Sequence, residues 1–133
     1  LHVDLNRHNR AHLLRAAQEG IAFAFRYGVD IMRESGLRAG VIRAGHANLF
    51  LSPLFRSTLA TLCDANIELY NTDGALGAAR GAALGAGLYR NRNEAFASLR
   101  RIEEVHPDPA IRQVLEETYQ IWKKELQLQL ENQ

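Results

Sequence analysis

The stretch VIRAGHANLFLSPLFRSTLATL, residues 41–62, predicts a short buried strand, a turn centred on Gly45 and then a helix. Residues 40–44 are β-branched at their centre and bounded by glycines, which is typical of a strand. Ser52 is a good N-cap residue, and Pro53 at the first helical position loses nothing by lacking an N–H. The stretch therefore begins a strand–helix unit with a glycine turn between its two parts.

A second strand is predicted from Asn66 to Tyr70, with Ile67 and Leu69 on one face. Strand, helix and strand within so short a segment make a parallel βαβ unit. Two strands do not make a stable sheet, so we expect this chain to be part of a larger α/β domain. Its only methionine is Met32, which fits that expectation.

A long helix is predicted before this unit, from Asn9 to Ser35, with Gly36 as its C-terminal stop. Apolar residues recur along it at helical spacing: Leu14, Ala17, Ile21, Phe25 and Met32, widened by Leu13, Ala16 and Ala24. The stripe is broader than that of an ordinary surface helix. We expect this helix to be covered on more than one side.

The segment after the second strand is rich in glycine and alanine and predicts a helix capped by Asp73. Gly77, Gly81 and Gly85 stand four residues apart, and each costs about 1 kcal/mol of helix propensity relative to alanine. We expect the backbone of such a helix to lie close to the sheet, another helix or a ligand.

Two further helices are predicted, a short one over Asn93–Glu104 and a final one over Ala110–Glu131 that begins at Asp108-Pro109 and frays after Leu128. The count is four or five helices and two strands, which predicts a helix-rich α/β fold built around one βαβ unit.

Composition excludes few classes of function. A net charge of +1 gives no argument for binding nucleic acid or an anionic membrane. No apolar run approaches the ~20 residues of a transmembrane helix, and the polar N-terminus is unlike a signal peptide. The single cysteine, Cys63, is expected to be a buried apolar residue, which suits the reducing cytoplasm.

Catalytic and metal-binding motifs are sparse. His8 and His12 lie four residues apart, but no third ligand is evident, so surface or helix-capping roles are favoured. Neither a Ser/His/Asp constellation nor a Walker A motif occurs. We therefore predict no metal site and no catalytic residue in this chain.

The turn Ala44-Gly45-His46-Ala47-Asn48 has two interpretations. It suits a nucleotide cradle, because Gly45 lets the backbone approach a phosphate or ribose and Asn48 supplies an amide side chain. It also suits an ordinary βα loop with glycine at positive φ, which the residues of the turn alone favour because isolated glycine turns are common.

The order of motifs resembles the C-terminal domain of the FGGY family of carbohydrate kinases, and within it the xylulokinases, over about residues 7–105. The family pattern R-x-x-L-x-x-A-x-x-E-G-x-A-F is matched between Arg10 and Phe23. The family's glycine loop before an S-P-L-W-R-Q helix is matched by Gly45–Arg56, and its A-L-G-A-A helix by residues 75–79. Phe55 replaces the usual tryptophan, and His46 occupies the loop's small third position.

The resemblance implies a fragment of an actin-like (RNase H-like) ATPase domain, with residues 1–105 in the C-terminal kinase domain and 106–133 as its last helix. It implies ATP and Mg²⁺ as cofactors, with a catalytic aspartate in a missing N-terminal portion of the same protein, so that this fragment alone is inactive. The residues implied to border ATP are Ala44, Gly45, His46, Asn48, Ser52, Gly74 and Gly77.

The function implied is transfer of the ATP γ-phosphate to a sugar hydroxyl, with D-xylulose as the expected sugar. A homodimer is left open. The alternative is a non-catalytic, actin-like regulatory or protein-interaction module, with Trp122 and the Leu126–Leu130 tail as its partner surface.

Overall fold

The structure is a computed structural model that describes residues 3–4 and 6–132. Its elements are α1 (Arg10–Glu34), β1 (Val41–Gly45), a 3-10 turn (Asn48–Leu51), α2 (Pro53–Cys63), β2 (Asn66–Tyr70), α3 (Gly74–Gly85), α4 (Arg92–Ala95), β3 (Arg101–Val105) and α5 (Pro109–Glu131).

The three strands form one sheet in the order β1-β2-β3. β1 runs parallel to β2, with Val41 opposite Asn66 and Gly45 opposite Tyr70, which confirms the βαβ unit. β3 pairs antiparallel with the other side of β2, with Ile67 opposite Val105.

The third strand corrects the predicted helix over Asn93–Glu104. Only Arg92–Ala95 is helical in this segment, and residues 101–105 are a strand. The local sequence RIEEV has helix-favouring glutamates, but β2 offers an otherwise unpaired edge there. Tertiary pairing of this kind overrides local propensity, and it also supplies the third strand that the sequence alone did not show.

The core lies between one face of the sheet and α2, and α1 and α5 pack against α2. Ile67 and Leu69 on β2 are fully buried, as predicted, against Phe55 and Leu59 of α2. Tyr119 of α5 is the largest fully buried side chain. The opposite face of the sheet is polar, with Glu68 paired to arginines on both neighbouring strands.

Helix α1 is capped by Asn9, as the predicted start requires, and runs to Glu34. Gly36, the predicted stop, follows the helix with a φ of +83°. The expectation that α1 is covered on more than one side is wrong for the part of the chain that the structure describes. Only Ala22 and Phe23 are buried along this helix, and the apolar stripe from Leu14 to Met32 stays open. Phe55 of α2 lies beside Phe25, and Trp122 of α5 borders the cleft along the stripe, but its large side chains remain exposed.

Helix α3 also departs from expectation. A Cβ added at Gly77, Gly81 or Gly85 would meet no atom within 4 Å, apart from the helix's own backbone and adjoining residues. Helix α3 does contact another helix, α4, but within the described residues the expected close approach does not occur at these three glycines. These glycines lie on an open surface of α3 and make no close contact with another element among the described residues.

Helix α5 is capped by Asp108, whose Oδ1 accepts from the Ala110 N–H at 2.9 Å, and it runs to Glu131 without the expected fraying. Trp122 is half-buried, with its ring 6.0 Å from that of Phe23 and 6.1 Å from that of Tyr119. It therefore packs toward the core, whereas Leu128 and Leu130 are exposed.

Cys63 is buried, as predicted, and burial raises the pKa of its thiol to about 11 despite the nearby Arg26 and Arg33 charges. None of the helices in residues 3–4 and 6–132 combines the length and the hydropathy needed to cross a bilayer.

Candidate functional site

A cleft opens at the carboxyl ends of the two parallel strands. It measures about 260 Å³ and is lined by Phe25, Gly45, Ala47, Asn48, Leu49, Phe50, Phe55, Asp73 and Gly74. In α/β sheets, ligands bind at this edge because the loops that follow parallel strands meet there. The cleft brings together Gly45, Asn48 and Gly74, three of the seven residues expected to border a nucleotide.

Gly45, at the end of β1, lies in close contact with Thr72, in the loop after β2. A Cβ on this residue would lie 2.4 Å from the backbone oxygen of Thr72 and 3.0 Å from its carbonyl carbon. The His46 N–H donates to the Tyr70 carbonyl at 2.9 Å, which extends the strand pairing into the loops. Gly45 does not have a positive φ, so the alternative of a positive-φ glycine is wrong. The position requires glycine because another loop lies against it.

The positive φ in this turn belongs to Asn48, at 52°. Asparagine tolerates this left-handed conformation better than most residues. It opens the 3-10 turn Asn48–Leu51, which the sequence predicted only as loop. The exposed Asn48 side chain lies at the rim of the cleft.

The N-terminus of α3 lies on the other side of the cleft. Asp73 caps it as predicted, its Oδ1 accepting from the Leu76 N–H at 2.7 Å. Among the described residues, the Gly74 and Ala75 N–H groups donate no hydrogen bond. Free amides at the positive end of a helix dipole suit phosphate oxygens, so this side of the cleft fits a nucleotide phosphate.

The other expected residues lie around the cleft rather than in it. Ala44 lines a neighbouring depression with Thr72, and His46 lines another with Asp73. Ser52 is occupied as the N-cap of α2, where its hydroxyl donates to Gln18 Oε1 at 2.6 Å and accepts from the Phe55 N–H at 3.3 Å. Gly77 lies one turn further along α3. No ligand tests these assignments, so they remain predictions.

Two buried arginines that the sequence analysis did not assign hold the loops of the cleft. Arg56 of α2 donates to the Phe50 carbonyl at 3.0 Å and to Glu103 Oε1 of β3 at 3.0 Å, so it ties the 3-10 turn to the sheet. Its Nε is buried without a partner among the described residues.

Arg80 of α3 holds the second loop. Its guanidinium donates to Thr72 Oγ1 at 3.0 Å and to Ser98 Oγ at 3.1 Å, and the residue is 8% exposed. The signal for both arginines was a single charge within an otherwise small or apolar helical stretch. Such a charge, once buried, must find hydrogen-bond partners, because an unpaired buried charge is costly.

We expect Arg56→Ala to lower the free energy of unfolding by about 2–3 kcal/mol, because it leaves the Phe50 carbonyl without its donor and vacates a buried position. Urea denaturation followed by circular dichroism measures this change. Arg100→Ala is the matched control, since Arg100 is exposed, and its expected effect is within about 0.5 kcal/mol. Equal effects of the two substitutions would contradict the role given to Arg56.

The described residues contain no group of three or more His, Cys, Asp or Glu side chains that could hold a metal ion. Of the two histidines expected to be capping or surface residues, His12 belongs to the N-terminal cap of α1 and His8 lies on the surface in the preceding turn. His12 Nδ1 accepts from the Asn9 N–H at 3.2 Å, and His8 Nδ1 accepts from the Asp4 N–H at 3.0 Å.

The fold and the position of the cleft define the structural class of the protein. It is α/β, helix-rich and built on a βαβ unit, and it is a fragment of an actin-like ATPase domain, as predicted. This class rests on similarity to the solved structure of xylulose kinase from Rhodospirillum rubrum. The TM-score is 0.71 at 28% identity, over 93% of this chain and 25% of that one.

A curated relative gives the more particular resemblance. The chain is 34% identical over 118 residues to the L-xylulose/3-keto-L-gulonate kinase of Escherichia coli (strain K12). The match covers 85% of this chain and 23% of that kinase. The chain therefore spans about a quarter of the length of the relatives it matches. No protein-family model matches the chain. The two similarities confirm the predicted resemblance to the C-terminal domain of an FGGY-type sugar kinase, most like xylulokinase.

Proposed function

We propose that this chain is the ATP-binding portion of a cytoplasmic sugar kinase that transfers the γ-phosphate of ATP to a hydroxyl of D-xylulose or a similar ketopentose. The observation that carries the proposal is the contact of Gly45 with Thr72, which joins two βα loops into one cleft beside the N-terminus of α3. The names of the two relatives, both kinases of xylulose-type sugars, support the reaction class.

Within the proposed reaction, this chain binds and orients the nucleotide. The Gly74 and Ala75 amides would donate to phosphate oxygens, while Gly45 and Asn48 border the ribose or α-phosphate. Phosphoryl transfer depends mainly on placement and on neutralising charge, and bound Mg²⁺ would supply the neutralisation. The Asp73 carboxylate faces the same cleft but is held as a helix cap, so we give it no catalytic step.

The proposal can be tested by titrating the ¹⁵N-labelled chain with MgATP and following backbone amide signals. We expect the Gly45, Asn48 and Gly74 signals to shift, while those of α5 residues such as Gln120 stay in place. Mixing the same chain with MgATP and D-xylulose should form no ADP, because the catalytic base is proposed to lie outside this chain.

A well-dispersed spectrum with no shift at about 10 mM MgATP, a concentration sufficient even for millimolar affinity, would contradict the nucleotide site. Shifts confined to α5 would favour the alternative of an interaction module. ADP formation would show that the base lies within the chain.

A further inference from the structure

The loop after β2, residues 71–73, is bonded to the loop before β3, residues 96–100. Asn71 makes three of the hydrogen bonds. Its N–H donates to the Arg100 carbonyl at 3.0 Å, its Oδ1 accepts from the Arg100 N–H at 2.6 Å, and its Nδ2 donates to the Ser98 carbonyl at 3.2 Å. Asn71 therefore joins the two loops through its backbone and through both polar atoms of its side chain.

Arg80 joins the same two loops from the middle of α3. Long side chains on a helix lean toward its N-terminus, and the guanidinium of Arg80 reaches Thr72 Oγ1 at 3.0 Å and Ser98 Oγ at 3.1 Å. Because the residue is only 8% exposed, water can replace neither bond easily. Arg80 and Asn71 thus act on one contact between two loops.

The partners of Arg80 are unusual for a buried guanidinium. Buried charges are normally paired with opposite charges, as Arg56 is with Glu103. Arg80 instead donates to two neutral hydroxyls, and it makes no ion pair among residues 3–4 and 6–132. The neighbouring carboxylate, Asp73, bonds the Leu76 N–H. The charge of Arg80 therefore favours an anion near the start of α3, as does the helix dipole.

Thr72 is held through both its backbone and its side chain. Its carbonyl oxygen would lie 2.4 Å from a Cβ at Gly45, its N–H donates to the Tyr70 carbonyl at 2.8 Å, and its hydroxyl accepts from Arg80. Only Asp73 separates Thr72 from Gly74, so the path of the chain at Thr72 sets the direction of the first α3 amides. Amides that are ordered in advance lose less conformational entropy when a ligand binds.

We propose that Arg80 and Asn71 are positioning residues for the nucleotide phosphates. They hold the loop after β2 against the loop before β3, so that the free Gly74 and Ala75 amides keep the orientation that a phosphate requires. This inference rests on the proposed nucleotide site. Neither Arg80 nor Asn71 lines the cleft that contains Gly45 and Gly74, so each acts through the loop and not by touching the nucleotide.

The main test compares the MgATP dissociation constants of folded variants, measured from backbone amide shifts. Arg80→Met keeps an unbranched apolar side chain but removes the donors and the charge, so we expect about tenfold weaker binding. Arg80→Lys restores the charge and a donor, and it should bind within about threefold of the parent chain. Asn71→Ala removes only neutral hydrogen bonds and should weaken binding about threefold to tenfold.

Two controls separate positioning from net charge and from stability. Arg100→Met removes a positive charge from the same loop before β3, but Arg100 bonds Asn71 only through its backbone, and its side chain is exposed. Tyr119→Phe removes a hydrogen bond outside the cleft and lowers stability there. Both chains should bind MgATP within about twofold of the parent. Far-UV circular dichroism verifies that every variant is folded.

A parent chain that binds no MgATP would overturn the nucleotide site, and this inference with it. Where the parent binds, a folded Arg80→Met chain with the parental dissociation constant would overturn only the positioning role. Arg80→Lys binding no better than Arg80→Met would do the same. So would an equally large loss in Arg100→Met or Tyr119→Phe, because affinity would then follow net charge or stability and not the contact between the two loops.

Discussion

Replacing Gly45 with alanine is expected to lower the free energy of unfolding by about 2–3 kcal/mol and to weaken MgATP binding at least tenfold, because the new methyl group overpacks a tight contact. The added Cβ would stand 2.4 Å from the Thr72 oxygen, a separation that neither loop can accept without moving. The obstacle is backbone, so no side-chain rotation relieves it. The second βα loop, with Asp73 and Gly74, must shift away from the first.

The measurement for Gly45→Ala is urea denaturation, at one protein concentration, together with the MgATP titration. The matched control is Gly81→Ala on exposed α3, where an added Cβ meets nothing within 4 Å. That substitution should raise stability by up to about 1 kcal/mol, since alanine favours helix.

A Gly45→Ala chain that binds MgATP with the parent affinity would show that the joined loops are not the nucleotide site. Loss of stability with unchanged binding would separate the packing role of Gly45 from the proposed function.

The sequence predicted the structure well wherever a local chemical signal decides it. Ser52 followed by Pro53 placed the start of α2, and the Asp73 cap placed the start of α3, because side-chain capping satisfies amides within the same turn. The bounds of β2 were also correct, since its apolar residues alternate and polar or small residues flank it. These features depend only on neighbouring residues.

The sequence was less informative where a distant segment decides the structure. Strand β3 exists because the edge of β2 is free to pair, and nothing within residues 101–105 encodes that edge. The need for glycine at position 45 depends on the path of Thr72, which is 27 positions further along the chain. The partners of Arg56 and Arg80 likewise belong to other segments of the chain.

Replacing Asp30 with alanine is the second substitution with a large expected effect, about 3 kcal/mol of lost stability, because it leaves buried partners without their acceptor. Asp30 Oδ1 accepts from Arg26 Nε at 2.7 Å, and Oδ2 accepts from the Tyr119 hydroxyl at 2.8 Å. Arg26 also lies 5.2 Å from the centre of the Tyr119 ring and donates to the Leu62 carbonyl at the end of α2. One carboxylate therefore connects α1, α2 and α5.

Two other variants separate the parts of this network. Tyr119→Phe removes one hydrogen bond and should cost about 1 kcal/mol. Glu117→Ala, which removes an exposed carboxylate on α5, should change stability by less than about 0.5 kcal/mol. Equal losses from Asp30→Ala and Glu117→Ala would contradict the role given to the network.

The Asp30 network should also set part of the acid stability. Burial opposes ionisation of Asp30, but the hydrogen bonds from Arg26 and Tyr119 and the charges of Arg26 and Arg33 outweigh it and hold the pKa of this carboxyl below its usual value. Burial and the Asp30 carboxylate raise the pKa of the Tyr119 hydroxyl, which therefore stays protonated and keeps donating.

A carboxyl whose pKa is lower in the folded state stabilises the fold above its unfolded pKa of about 3.9, and the stabilisation is lost as the pH falls through the folded value. The free energy of unfolding of the parent chain should therefore fall between about pH 5 and pH 2, and that of Asp30→Asn should fall less. Both are measured by urea denaturation at each pH. Parallel curves for the two chains would show that the Asp30 charge does not contribute to the pH dependence of stability.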